Sequence, residues 1–155
     1  MTKYCKLILM ALFGMYPLII AQVIPEEFQF EQSTLQAFYF FKVVEINDIK
    51  INSTDWVGAF NGEICVGARE WDTSSCNGGI CEVPVMGYDG SDHTTGYSIG
   101  GDIPTFKIYD TSENTYYDAI ASEDYPWFSN AQIIIDTLSA NVIVMGCTDM
   151  NACNY

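Results

Sequence analysis

Positive charge is the scarcest thing in this chain. Six Lys and Arg stand against 20 Asp and Glu, a formal net charge of −14 over 155 residues. Phosphate backbones and anionic membrane surfaces need a basic partner, so the balance argues against both. Histidine occurs once, as His93. Structural zinc needs four close Cys or His ligands, so zinc is not expected. A serine or cysteine triad would have to use His93 as its base, and no Gly-x-Ser-x-Gly motif accompanies it. Amphipathic helical periodicity is absent beyond the first 21 residues. Charged residues make up only 17% while aromatics reach 14%, which excludes a disordered polyelectrolyte. The length allows one domain with a sizeable core, and hardly two.

The amino terminus reads as an export signal. Lys3 and Lys6 precede an uncharged apolar run at residues 7–20, and Ala21 supplies a small residue before Gln22. The run is short for a membrane span. We therefore expect a signal peptide over 1–21, a β domain over 22–145 and a separate tail over 146–155, with no membrane insertion after cleavage. Cleavage removes both signal lysines and leaves Lys42, Lys50, Arg69 and Lys107 against 20 acids, a net charge of −16. Five cysteines remain, and export permits disulfides among them.

The rest of the chain is punctuated β pattern. Residues 36–46 concentrate aromatics and β-branched residues on a strand-like run. Asn61-Gly62 between two apolar runs predicts a hairpin with a type I′ turn. In its second arm Ile64, Val66 and Ala68 alternate with Glu63, Cys65, Gly67 and Arg69, which predicts one buried and one outward face. Residues 22–31 read as a lead-in strand or an extended arm. Further strands are predicted at 81–86, with Pro84 marking an edge, and at 105–109, 115–120, 131–135 and 141–145. Residues 72–79, 87–101 and 124–130 are loops by composition. Many short strands between turn signals predict an all-β fold, an antiparallel β-sandwich of jelly-roll or immunoglobulin-like type.

Candidate chemistry gathers in the loops. Cys76 and Cys81 enclose Asn77, two glycines and Ile80, a loop that closes into a disulfide without strain. The rival, a thiol-redox site, calls for tighter spacing and a helix amino terminus. Pairing among Cys65, Cys147 and Cys153 is open. Asp89, Asp92, Asp102 and Asp110 flank the glycine-rich stretch and the strand after it. They offer the carboxylate oxygens that calcium takes, or else they cap solvated turns. Tyr88, Tyr97 and Trp127 are candidate ligand-binding residues, because loop aromatics stack on sugar faces; the alternative is that they pack the core. Asn52-Ser53-Thr54 matches an N-glycosylation triplet and equally a turn. Two carboxylates suffice for a glycosidase, but with 20 acids the presence of pairs carries little information.

Two resemblances add to this reading. The segment from Gly146 through Cys147, Thr148, Asp149, Ala152 and Cys153 to Tyr155 resembles the opening of acidic cysteine-containing repeats in secreted marine and Bacteroidetes-type proteins. Those repeats are similar in style to thrombospondin type 3 calcium repeats and continue with an acidic Asp-Asp-Gly-Ser-Cys close. That close does not follow Tyr155 here, so the resemblance implies either a truncated reading frame or a product followed by more modules. Residues 55–62, 65–68, 95–97 and 101–110 resemble a β module of the same exported surface proteins. That resemblance implies export and a modular surface protein, with no activity attached. Asp136-Thr137-Leu138 resembles the short O-glycosylation signal of that phylum, with Thr137 as acceptor.

The expectation is a secreted, non-catalytic module of a cell surface or extracellular matrix. It acts by binding or display toward glycans, other surface proteins or copies of itself, with calcium as the one candidate cofactor. One alternative is a self-assembling fibre subunit that donates residues 22–31 as a strand. The other is an accessory to a carbohydrate-active enzyme, or a small hydrolase.

Overall fold

A computed structural model describes residues 23–141. The export signal, the cysteine-containing tail with Cys147 and Cys153, and residues 142–145 of the strand expected over 141–145 lie outside the described residues.

The chain is mostly β. Among the described residues eight strands follow in order: β1 (Gln36–Ile46), β2 (Ile49–Lys50), β3 (Trp56–Asn61), β4 (Ile64–Glu70), β5 (Cys81–Met86), β6 (Thr105–Asp110), β7 (Thr115–Ala121) and β8 (Gln132–Ala140). They form one curled sheet in the order β2-β1-β8-β7-β6-β3-β4, with β5 paired to β1 beside β2. The result is a half-barrel. An antiparallel sheet throughout was the expectation, and β1–β8 breaks it. Those strands run parallel from Phe38–Gln132 to Ile46–Ala140. Every other ladder between these strands is antiparallel among the described residues.

The curl brings β4 and β5 side by side, and among the described residues no ladder joins them. Glycine makes the approach feasible: a Cβ on Gly67 would overlap the Pro84 carbonyl. Arg69 and Glu82, both half-buried, form an ion pair across this seam. Pro84 sits on the unpaired side of the sheet, where its missing N–H costs no ladder bond.

The concave side holds the main core. Tyr39, Phe41, Val57, Phe106, Ile108, Ile135 and Leu138 are all buried there with Trp71 and Trp127. Phe106 packs edge-on against Phe41 with centroids 5.1 Å apart, and lies 5.7 Å from Tyr39. Along β1 the inward residues are Tyr39 and Phe41, then Val44; along β8 they are Ile133 and Ile135, then Leu138. Both strands therefore change parity at the same level. Lys42 and Asp136 sit at that level and pair on the outside, 2.5 Å apart. This explains one error of sequence reading. Residues 136–140 looked like a break between two strands, but they are the second half of β8.

The hairpin forms with a different turn. Asn61 pairs with Ile64, so the two turn residues are Gly62 and Glu63, and only Gly62 has positive φ, at 61°. That is the pattern of a type II′ turn. Asn61 stays in the strand because its side-chain amide donates to the Gly96 carbonyl at 3.0 Å. A turn with positive φ at both central residues occurs instead at Asn47 (51°) and Asp48 (63°), joining β1 to the short β2. The expected alternation in β4 is also lost. A register shift opposite Ala59 and Phe60 leaves Cys65, Val66, Gly67 and Ala68 all buried.

β3 and β4 are covered on both faces because residues 23–31 lie across their outside. This arm is not a strand. It makes a single 3-10 turn, Glu26–Phe28, that drives Phe28 into an outer cluster with Trp56, Phe60, Cys65 and Ala68.

Candidate functional site

The glycine-rich stretch 87–102 folds into a shelf at one end of the half-barrel, and Asp89 organises it. One Asp89 carboxylate oxygen accepts from the Thr34 amide (3.0 Å) and the Thr34 hydroxyl (3.2 Å). The other accepts from the Ser91 amide (3.1 Å), the Thr94 hydroxyl (2.9 Å) and the Ser91 hydroxyl. Donors around a carboxylate favour its charged form. The Ser91 hydroxyl first, with the Thr34 and Ser91 amides and Thr94, holds Asp89 well below the usual carboxylate range.

The other three expected calcium residues are used separately. Asp102 accepts from the Ile99 amide at 3.0 Å and from the Asn61 side chain at 3.4 Å. Asp110 caps the β6–β7 turn through the Ser112 amide (2.8 Å) and the Glu113 amide (3.1 Å). Asp92 begins a short 3-10 turn, Asp92–Thr94. The structure does not bring these four acids together. Among the described residues no group of three or more His, Cys, Asp or Glu side chains converges as a metal site.

His93 Nε2 lies 3.3 Å from the Ser91 hydroxyl, which also contacts Asp89. Serine is thus the middle member. A nucleophilic triad needs histidine in the middle, with the acid on its far nitrogen. The arrangement here serves a loop turn.

Tyr88, Tyr97 and Asp102 do converge. With Asn61, Thr95 and Ile99 they line an open groove of about 380 Å³. Tyr88 (44% exposed) and Ile99 (55%) present apolar surface to solvent. Tyr97 is buried, and its hydroxyl accepts the Glu31 amide at 2.7 Å, so it forms the floor. Burial pushes the Tyr97 phenol above its ordinary range. Gly96 and Gly101, at φ of 84° and 102°, make the bends that aim this wall.

Trp127 is elsewhere. It is only 3% exposed, and its indole N–H donates to the Val85 carbonyl at 2.9 Å. Its ring packs where a side chain on Gly87 would have to be, so no face is left open for a sugar. Cys76 and Cys81 form the expected disulfide, with Cα atoms 5.2 Å apart. Thr137 lies half-buried within β8 opposite Val43.

Sequence reasoning missed Asp55, a carboxylate 1% exposed. It accepts from the Asn52 amide at 2.7 Å and the Thr111 amide at 3.0 Å, while its own carbonyl accepts from the Trp71 amide at 2.7 Å. It ties three loops at the end of the barrel away from the groove. The Asn-Ser-Thr-Asp run was its signal, because a side chain accepting from a backbone N–H three residues earlier is ordinary turn chemistry. Asn61 is a groove residue that its pairing with Gly62 in the sequence hides, because Asn-Gly predicts a turn there.

Comparison of the chain with protein-family models, with curated proteins and with solved structures finds no match in any of the three.

Proposed function

We propose that the chain is an exported, non-catalytic binding module whose ligand is a neutral glycan seated in the groove between Tyr88, Ile99 and Asp102. The observation that carries this reading is the convergence of exposed apolar faces with a carboxylate that has one oxygen unspent. Only one Asp102 oxygen has a partner among the described residues. A pyranose offers an apolar face to stack on Tyr88 and hydroxyls to donate to Asp102. Among the described residues no Lys or Arg lines the groove, which disfavours an acidic sugar. Export is supported by the charged-then-apolar amino terminus, and the surface-module reading by the resemblances described above. We read the two halves of the curled sheet, packed about one core, as the two layers of the expected sandwich.

Calorimetric titration of residues 22–155 with neutral and acidic oligosaccharides tests the proposal. We expect a neutral sugar to bind, and Tyr88→Ala to weaken it at least about tenfold, the loss of one good stacking contact. Unchanged binding after Tyr88→Ala, or binding of acidic sugars alone, overturns the reading.

A further inference from the structure

The arm divides into a fixed root and a separable tip. The root is pinned: the Glu31 amide donates to the Tyr97 hydroxyl at 2.7 Å, the Ser33 hydroxyl to the Gly87 carbonyl at 2.6 Å, and the Thr34 amide to Asp89 at 3.0 Å. The tip, residues 23–30, adds no strand to the sheet. It is held by a knob and a charge, with the Glu27 amide donating to the Tyr116 hydroxyl at 3.2 Å between them. The knob is Phe28, 0% exposed, whose ring meets Tyr116 at 5.3 Å, Phe60 at 5.9 Å and Tyr109 at 6.5 Å between centroids. Gly58 forms the bottom of the socket, where a Cβ would stand 2.7 Å from the Phe28 ring. The charge is Glu27, 2.9 Å from Lys107. Lys107 is one of four cations in the exported chain, and an acidic tip finds it on a molecule otherwise dominated by acids.

The walls of this socket are Trp56, Phe60, Cys65, Ala68, Tyr109 and Tyr116, on β3, β4, β6 and β7; the arm adds Ile24 and Phe30, which belong to the tip and travel with Phe28. The contacts are therefore the same whichever copy supplies Phe28. We propose that the socket is an interaction surface for a second copy of this chain, and that two copies exchange their 23–30 tips reciprocally. Phe28 is three residues from the Glu31 anchor, a reach of about 10 Å. A partner socket must then lie directly beside the root, and because the exchange is reciprocal it closes as a two-fold dimer. Within one chain the docked tip competes at an effective concentration in the millimolar range. Exchange is favoured where copies are crowded. The proposal is independent of any ligand in the Tyr88 groove.

Two variants remove the competition. Phe28→Ala leaves an empty socket and an inert tip; Gly58→Leu fills the socket and frees a competent tip. We expect each full exported chain alone to be monomeric by light scattering, and the equimolar mixture to yield a species of twice the monomer mass. A mixture that stays monomeric overturns the proposal. If Gly58→Leu does not fold, a synthetic peptide of residues 22–31 is titrated into the Phe28→Ala chain. Binding at least tenfold tighter than that of the same peptide with alanine at position 28 supports exchange, and equal binding overturns it. A Phe28→Ala chain that cannot fold also overturns it, because the tip would then be part of the fold.

Discussion

A Cβ on Gly67 would stand 1.6 Å from the carbonyl oxygen of Pro84. Two strand backbones touch at that point, and neither can give way as a flexible side chain would. The seam between β4 and β5 closes because one residue has no side chain. We expect Gly67→Ala to separate the strands, loosen the Arg69–Glu82 pair and wet Val83 and Val85, at a cost of about 3 kcal/mol. Gly62→Ala is the comparison. Gly62 has positive φ but nothing within 4 Å, so backbone strain of about 1 kcal/mol is the whole penalty. Urea midpoints measure both. Equal losses would mean that the seam does not bear on stability.

Asp89 gives the fold an acid-sensitive clasp. Its pKa in the folded chain is depressed, chiefly by the Ser91 hydroxyl. Its contribution is thus fully present above the unfolded value of about 3.9, and it fades as pH falls toward the folded value. Asp89→Asn removes it at every pH. We expect the difference in Tm between wild type and Asp89→Asn to stay flat from about pH 7 to about pH 5, then to narrow below about pH 4. A gap that widens in acid contradicts the assignment. Amide exchange at Ser33 and Thr34 should rise in the variant, because Asp89 pins that segment.

The Cys76–Cys81 bond fastens the loop that runs from β4 into β5. Cys81 is fully buried in the main core while Cys76 is at its margin. Closing so short a loop restrains the unfolded chain modestly, by about 2 kcal/mol. We expect reduction to lower Tm by roughly 5–10 °C without loss of the β-sheet spectrum. Complete unfolding on reduction would show that the bond supports more than its own loop.

Much of the fold was legible, and the misreadings share a cause. β1 is a run of aromatic and then β-branched residues, and its predicted limits match the structure because no turn residue interrupts it. Local rules failed where a distant partner decided the outcome. Asn61-Gly62 had the strongest turn chemistry in the chain, yet the Gly96 carbonyl holds the Asn61 side chain and moves the turn one residue on. Asp136 looked like a strand breaker because Lys42, 94 residues away, is invisible to periodicity. β4 lost its alternation to Phe28, which covers its second face. At the groove, Tyr88, Tyr97 and Asp102 were legible as loop residues with suitable chemistry. Trp127 shared that composition, and only the space beside Gly87 and the Val85 carbonyl placed it in the core.

Cys65 reports on the arm. It is 6% exposed in the same outer cluster as Phe28, against which Phe30 also packs, and it lines a cleft with Gln29 and Phe30. Burial pushes its thiol up to about 11, with the Gly67 carbonyl beside it at 3.6 Å. A thiol reacts as thiolate, so at neutral pH wild-type Cys65 should label slowly for want of both access and charge. Phe28→Ala should let the tip lift away. Water then reaches Cys65, its pKa falls toward about 8.5, and labelling at pH 8 should accelerate by at least about tenfold. The Cys76–Cys81 bond does not react with maleimide, and alanine at positions 147 and 153 leaves Cys65 as the reporter. The acceleration should depend on pH with the midpoint of an exposed thiol. If labelling of Phe28→Ala stays as slow as wild type while the chain remains folded, the tip does not govern access to the socket. A rate that rises only when the whole sheet melts would lead to the same conclusion, because the arm would then open with the fold and not ahead of it.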